Sequence, residues 1–302
     1  MLFRSFTEGA SSLVSAKIPQ PTREEKLEAL REGMKYAASL GITSIQNASG
    51  SAEEFELYQA LLNNNELTLR SSTAFSCGPG TSDKVVSRWI ELKHTNGEGQ
   101  WLKAHAIKFM LDGVIESHTA VMLEPYSDLP ADDPQQHAAF AIPLEEYREK
   151  VQRLDREGFQ LYTHAIGDKA VREAVNAYEL AIASDKSRQR RHRIEHIEQI
   201  NPSDLKRFHA LGILPSMQPI HADPGTVDVW SRAVGSQRLP NSFNWAAFVR
   251  DGNVLVYGSD WPACINADPL HGLHVAVNRK TVDGRSEEHT SELQSRGLIS
   301  YA

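Results

Sequence analysis

The sequence contains only two cysteines in 302 residues, Cys77 and Cys264. This scarcity does not imply a disulfide framework, and it excludes a Cys/His zinc site of the finger type. It fits a reducing cytoplasm, where we expect the protein to reside. No apolar run approaches the roughly 18 residues of a membrane-spanning helix. The first residues also lack the apolar core of a secretory signal peptide, so we predict neither a membrane anchor nor secretion.

Positive charge is not in excess either. Lysine and arginine number 32 against 39 acidic residues, which gives a net charge of −7. A nucleic-acid-binding protein would instead show a basic stripe. The apolar fraction of 40% is ordinary for a globular protein. We therefore expect a small-molecule partner, with no nucleic acid and no membrane, and leave open whether the chain forms a homo-oligomer.

Helix and strand patterns alternate along the chain. Two helices open with capping boxes, at Thr22–Glu25 and Ser51–Glu54. Further helices are predicted near residues 83–93, 143–157, 169–183, 201–211 and 243–250. The predicted strands cover residues 42–45, 67–75, 104–111, 159–163, 191–195, 213–217 and 254–257.

This alternation predicts an α/β fold, a parallel sheet with helices outside it. Seven strands are one short of a TIM-like (β/α)8 barrel. A doubly wound open sheet is the alternative, although the glycine fingerprint usual after its first strand is absent. Residues 113–141 are too many for a plain loop, and we expect this insertion to shape the active site.

Four ionisable residues stand at or just after the ends of predicted strands: Lys108, His164, His196 and Asp260. In a barrel these ends converge on one face, where active sites lie. Two imidazoles and a carboxylate suit zinc, iron or manganese, and such a metal lowers the pKa of bound water toward about 7. An aspartate beside the metal can move the proton of that water to a leaving group.

Each residue also has a structural interpretation. His164 and Asp260 would serve equally well in turns or helix caps, and Lys108 would pair with Asp112 in the barrel interior. Asp112 would alternatively hold a loop. An ammonium group has no lone pair for a metal, so Lys108 could be a ligand only after losing its charge or being modified. From the residues alone, both interpretations stay open.

Four segments in order resemble the amidohydrolase 3 family of the amidohydrolase superfamily. They are AIKFMLDGVIESHTAVMLEPYSD (106–128), LYTHAIGDKAVREAVNAYE (161–179), RHRIEHIEQINPSDLKRFHALGILPSMQPIHA (191–222) and YGSDWPACINADPLHGLHVAVNR (257–279). The resemblance extends over roughly residues 20–284.

The resemblance implies a metal-dependent hydrolase of non-peptide C–N bonds, in amides or substituted formamides. It implies one or two zinc ions, or iron. CO₂ would carboxylate Lys108 to an anionic carbamate that bridges two metals. His164 and His196 would be further ligands, and Asp260 both ligand and proton shuttle. Alternatives are an ester, lactone or phosphoester hydrolase of the same superfamily, a non-catalytic truncated barrel, and a glycosidase using Glu195 with Asp260.

Five further residues are candidates for substrate binding: Arg193, Gln218, His221, Trp261 and His118. Arg193 would hold an anionic group or form a structural ion pair. Trp261 would form an apolar wall or plug the barrel end. His192 would act as an outer partner of the metal centre.

The sequence departs from the family at both ends. The family's first strand ends in His-x-His, and no His-x-His precedes Lys108 here. We also expect the family's β-sandwich domain to be missing. We therefore expect residues 1–284 to form an incomplete TIM-like barrel lacking its first strand, a fragment with weakened metal binding. The segment RSEEHTSELQS, from residue 285, resembles a translated sequencing adapter, so residues 285–302 are predicted to be an unstructured, non-native tail.

Overall fold

The computed structural model describes residues 16–97, 99–222, 227–264 and 266–279. The strands are β1 (Ser44–Gly50), β2 (Arg70–Cys77), β3 (Leu102–Met110), β4 (Gln160–Ala165), β5 (Arg193–His196), β6 (Leu214–Met217) and β7 (Val256–Tyr257). The helices are α1 (Arg23–Ser39), α2 (Ala52–Asn63), α3 (Asp83–Asn96), α4 (Leu144–Arg156), α5 (Asp168–Ser184), α6 (Pro202–Leu211), α7 (Asp228–Val234), α8 (Trp245–Arg250) and α9 (Pro269–Asn278). The predicted tail from residue 285 lies outside the described residues.

The seven strands form one parallel sheet in the order of the sequence, β1 to β7. In a flat sheet β1 and β5 would lie about 19 Å apart, at roughly 4.8 Å per strand. Yet Arg193 on β5 donates a hydrogen bond to the Gln46 side chain on β1. The sheet is therefore curled into a half-barrel. This confirms the predicted α/β, TIM-like architecture, while the absent first strand and the absent β-sandwich domain remain predictions.

The first two helices begin where the capping boxes predict. The Thr22 hydroxyl accepts the Glu25 N–H, and the Glu25 carboxylate accepts the Thr22 N–H at 2.7 Å. Ser51 and Glu54 make the same reciprocal pair. Such a cap satisfies two backbone donors at a helix start, so local sequence alone fixes these boundaries.

Strand alternation separates an outer core from the barrel interior. On β4, Leu161 and Ala165 pack into the main apolar core beneath the helices. The Thr163 hydroxyl also points outward and bonds Tyr147 and Tyr178, both at 2.8 Å. The intervening side chains face inward, where Tyr162 packs with two alanines of neighbouring strands. Inward-facing positions near the C-terminal strand ends are thus left for polar groups.

Two helices were not predicted. The α7 helix has only seven residues, too few to show helical periodicity, and it is held by the buried Trp230. The α9 helix begins at an Asp268 cap followed by Pro269, a start signal that the prediction overlooked. The first strand also begins later than predicted, because the Ile42 N–H still bonds the Ala37 carbonyl of α1.

Among the described residues, no helix combines the length and apolar character that crossing a membrane requires. Cys77 is buried and Cys264 half-buried, and both are free thiols.

Candidate metal centre

Ionisable side chains converge at the C-terminal edge of the sheet. His164 is on β4 and His196 ends β5, and their rings lie 4.4 Å apart between centroids. His221 follows β6, and its ring stacks nearly parallel to that of His196, at 5.4 Å and 9°. Asp260 follows β7, with its Oδ2 3.4 Å from Nε2 of His221. The barrel thus unites residues distant in sequence.

The backbone turns sharply at His196. Its φ is +74°, and the N–H of Ile197 donates to the carbonyl of Glu195 at 3.1 Å. This is a γ-turn with a positive central φ, a rare and strained geometry. By strand alternation Glu195 would face inward and His196 outward. The turn instead brings the His196 imidazole to the site, where strain is characteristically retained.

Asp260 also has a strained backbone, with φ of +54°. For a residue other than glycine such a conformation costs about 1–3 kcal/mol and persists only where neighbouring structure enforces it. Here the Asp260 carbonyl accepts the N–H of Cys264 at 3.0 Å, and Gly258 bonds the Met217 carbonyl of β6 at 3.2 Å. These contacts hold the backbone of the Asp260 segment beside the end of β6.

Three donors are placed to hold a metal ion. One ligand atom each from His196, His221 and Asp260 lies within 4.8 Å of the others. Nδ1 of His196 donates to the side-chain amide oxygen Oε1 of Gln218 at 2.8 Å. Nδ1 of His221 donates to the Glu198 carboxylate at 2.8 Å. In its neutral form each ring therefore keeps a lone pair on Nε2, the arrangement found in metal-ligating histidines. This donor set fits a divalent metal.

Burial keeps the nearby bases neutral. His164 donates from Nε2 to the Gly113 carbonyl at 3.0 Å, which leaves Nδ1 as its acceptor. Burial, with the charge of Lys108, lowers the pKa of His164 to about 4. Burial also lowers the pKa of His196 well below its ordinary value, and His164 and Lys108 act in the same direction. Neutral imidazole is the form that binds metals.

Lys108 lies on the inward face of β3 with only 6% of its surface exposed. Burial lowers the pKa of its ammonium group, although the charges of Glu195 and Asp260 act to raise it. A lysine with a lowered pKa is more often a neutral amine, which is the form that reacts with CO₂.

His221 differs from the other two histidines. Burial acts to lower its pKa, but the neighbouring side chains of Asp260, Cys264 and Glu198 outweigh burial and raise the pKa well above the ordinary value. The carboxylates of Glu198 and Asp260 flank one imidazole, so this point of the site attracts positive charge. A proton or a metal ion can supply that charge.

A model of the amidohydrolase family matches residues 4–295. The chain belongs to the amidohydrolase family. Among curated relatives, this amidohydrolase is 29% identical to Protein LONG AFTER FAR-RED 3 of Arabidopsis thaliana, over 90% of this chain and 47% of that protein. It is 25% identical to the putative amidohydrolase YtcJ of Bacillus subtilis, over 90% of this chain and 49% of that protein. The chain thus spans about half the length of the curated relatives it matches.

Solved structures share the fold. An uncharacterized metal-dependent hydrolase from Pyrococcus horikoshii matches 95% of this chain and 54% of its own, with TM-score 0.76 and 22% identity. A second from Pyrococcus furiosus matches 94% of this chain and 56% of its own, with TM-score 0.71 and 23% identity. A zinc complex of an atrazine chlorohydrolase from Arthrobacter aurescens matches 85% of this chain and 52% of its own, with TM-score 0.51 and 14% identity.

The insertion of this amidohydrolase is tied to the end of β4 through Asp112. The carboxylate of Asp112 accepts backbone N–H groups of Val121, Ile166 and Gly167 at 2.9–3.0 Å and lies 3.4 Å from Nε2 of His164. Burial raises the pKa of Asp112 to about 7, although the three hydrogen bonds act to lower it. Asp112 therefore holds a loop, one of the two roles considered for it.

The substrate-binding candidates occupy different places. Gln218 contacts His196 directly, at the metal centre. Arg193 is in the barrel interior, where it bonds Glu195 at 2.8 Å and stacks over the Tyr162 ring at 3.7 Å. These contacts are those of a structural ion pair, and a role for Arg193 in binding an anionic group stays a prediction.

Two other candidates lie farther out. The side chain of His118 bonds Asp128 at 3.0 Å within the insertion, so its ring already has a partner. Trp261 is 47% exposed and packs on Tyr36 of α1 at 5.4 Å between centroids. Direct substrate contact by either residue remains a prediction.

His192 lies at the opposite end of β5 from His196. Its Nε2 bonds the Asp155 carboxylate at 3.0 Å, and its Nδ1 accepts the Leu161 N–H at 3.1 Å. This buried pair joins the starts of β4 and β5. Its location favours a structural role over the predicted role as an outer partner of the metal centre.

Two residues of the site, Glu198 and Trp230, were not predicted from the sequence. Glu198 is two residues beyond His196, and Trp230 donates from Nε1 to its Oε2 at 2.8 Å. The positive φ at both His196 and Ile197 reverses the chain and turns Glu198 toward His221. No spacing rule for strands or helices predicts such a reversal.

Proposed function

We propose that this chain carries the metal centre of a hydrolase that cleaves non-peptide C–N bonds, in amides or substituted formamides. The observation that carries the proposal is the group of His196, His221 and Asp260 at the C-terminal edge of the half-barrel, in a member of the amidohydrolase family. In barrels of this kind, that edge is where catalytic groups are found.

The proposed ligands are His164, His196, Asp260 and a carbamate formed by CO₂ on Lys108. A divalent ion held there, zinc or else iron or manganese, would supply a Lewis acid that makes water nucleophilic near neutral pH. The lowered pKa of Lys108 supports the carbamate, because only the neutral amine adds to CO₂.

Asp260 is the proposed proton shuttle. Its carboxylate would take a proton from the attacking water and deliver it to the departing nitrogen, which leaves as an amine. The position of the Asp260 carboxylate in the group with His196 and His221 supports this role, because a water held by that group would lie beside it. Gln218 would keep His196 in one orientation throughout.

Hydrolysis of esters, lactones or phosphoesters is the second candidate, because the same donor groups serve those reactions.

The test is hydrolysis of a panel of amides, N-substituted formamides, esters, lactones and phosphoesters by the zinc-loaded full chain. We expect turnover of C–N substrates, loss on chelation, and recovery when zinc returns. Asp260→Asn should lower kcat by at least about 100-fold, the lower range of general acid–base contributions. Turnover confined to esters, lactones or phosphoesters would favour the second candidate. A zinc-loaded chain with no turnover would support a non-catalytic barrel.

A further inference from the structure

Glu198 has no role in the proposed chemistry, yet it is a buried carboxylate with only 4% of its surface exposed. Its two oxygens are used separately. Oε2 accepts from Nε1 of Trp230 at 2.8 Å, and Oε1 accepts from Nδ1 of His221 at 2.8 Å. The backbone carbonyl of Glu198 also accepts the Phe243 N–H at 2.9 Å. Glu198 is therefore held in place by contacts of both its side chain and its backbone, and it can orient the imidazole that it contacts.

The consequence for His221 is a single orientation. Because Nδ1 donates to Glu198, the ring is fixed about its long axis and Nε2 faces Asp260. The separation of Nε2 and Oδ2, 3.4 Å, exceeds the 2.7–3.2 Å usual for a hydrogen bond. His196 is anchored in the same way by Gln218, and the two rings are nearly parallel. One ligand atom of each ring and one carboxylate oxygen of Asp260 lie within 4.8 Å of one another.

We propose that His221 is a metal ligand, and that Glu198, anchored by Trp230, is the positioning residue that orients it. The inference rests on the proposed function in that the ion is the one serving hydrolysis. It adds His221 to the ligands proposed above, so that His196, His221 and Asp260, at or just after the ends of β5, β6 and β7, share the ion. Carboxylate–histidine–metal arrays of this kind raise the basicity of the ligand and fix its tautomer.

The two hydrogen bonds to the Glu198 carboxylate also predict the effect of replacing Glu198 with glutamine. A carboxylate accepts from both Trp230 and His221, whereas an amide has a single acceptor oxygen. Glutamine at position 198 would therefore set an NH₂ group against one of these two donors. His221 would lose its fixed orientation while the volume of the side chain stays the same.

The experiment is titration of the full chain with Co²⁺, followed by its visible absorption, with affinities from competition against a chromophoric chelator. We expect one ion per chain at this centre. His221→Ala should weaken binding by more than about 100-fold, and Glu198→Gln by about 10–100-fold, the usual effect of losing an outer partner of a ligand. The absorption bands should shift in Glu198→Gln, because one nitrogen ligand is no longer held in place.

Asp128→Asn is the matched control, since Asp128 bonds His118 at 3.0 Å in a like carboxylate–imidazole pair away from the cluster. Its affinity and spectrum should equal those of the unchanged chain. If His196→Ala abolishes Co²⁺ binding but His221→Ala does not, the inference is wrong and the proposed function stands. If Glu198→Gln alone leaves affinity and bands unchanged, Glu198 has no positioning role. If the unchanged chain binds no Co²⁺, both the inference and the proposed metal centre are wrong.

Discussion

Asp155 offers the sharpest test of the packing. Its side chain is 2% exposed and joins three cationic or polar side chains at the starts of β4 and β5. It accepts from Nε of Arg190 at 2.8 Å, from Arg188 at 2.5 Å and from Nε2 of His192 at 3.0 Å. Asp155→Asn removes the charge without changing the shape, and it sets an NH₂ group against donors.

We expect Asp155→Asn to be strongly destabilising. Breaking a buried ion pair by neutralising one partner costs about 3–5 kcal/mol, because the other charge stays buried and uncompensated. At roughly 2 °C per kcal/mol for a chain of this size, Tm should fall by about 6–10 °C. The fall in Tm is measured by thermal unfolding at pH 7, monitored by circular dichroism.

The stabilisation that Asp155 provides should decrease as the pH falls. Burial acts to raise the pKa of Asp155, but hydrogen bonds from His192 and Arg190 outweigh burial and hold it at about 2. An unfolded aspartate has a pKa of about 3.9. The stabilisation is therefore complete above pH 4 or so and is lost as pH falls toward 2. The difference in Tm between the two proteins should narrow over that interval.

The control is Asp83→Asn, which breaks an ion pair with Arg153 whose aspartate side chain is 84% exposed. An exposed pair contributes about 0.2–1 kcal/mol, so Tm should change by less than about 2 °C. Co²⁺ affinity should be unchanged in both variants. If the Tm of Asp155→Asn lies within about 2 °C of the Tm of the unchanged chain, the predicted stabilisation by the buried Asp155 ion pairs is wrong. Weakened Co²⁺ binding by the folded Asp155→Asn variant would instead support the predicted role of His192 as an outer partner of the metal centre.

Two further predictions concern Lys108 and Gly167. Labelled ¹³C-bicarbonate should give a carbamate NMR signal that Lys108→Arg removes and Lys150→Arg keeps; a signal that survives Lys108→Arg would exclude the carbamate on Lys108. A Cβ at Gly167 would lie 2.2 Å from the Val121 carbonyl oxygen, whereas one at Gly33 in α1 meets nothing within 4 Å. Gly167→Ala should cost about 1–3 kcal/mol in unfolding free energy, and Gly33→Ala should gain about 0.4–1 kcal/mol. If Gly167→Ala and Gly33→Ala shift Tm equally, the predicted clash of a Cβ at position 167 with Val121 is wrong.

Much of the fold was predictable because its signals are local. The capping boxes at Thr22 and Ser51 fixed two helix starts, and alternating patterns gave seven strands with helices between them. Periodicity failed for α7, whose seven residues are too few to display it. It also could not set the length of the last strand, where two residues pair with β6.

The candidate site divides in the same way. Lys108, His164, His196 and Asp260 were grouped because residues at the ends of parallel strands must converge, and the structure brings these side chains close together, while their roles stay predictions. The position of His221 beside Asp260 was not predicted, since 39 positions of sequence separate them and the pairing of β6 with β7 places them 3.4 Å apart. Its earlier assignment to substrate binding remains untested.

The sequence by itself determined the order of the elements, their parallel sheet and the edge at which the ionisable residues gather, because each depends on short-range periodicity and on the direction of the chain. Tertiary structure alone decided which atoms face one another. The positive φ at His196 reverses the expected alternation, and the same turn directs Glu198 to His221. Such backbone strain is maintained by surrounding packing, and the local residue pattern does not encode it.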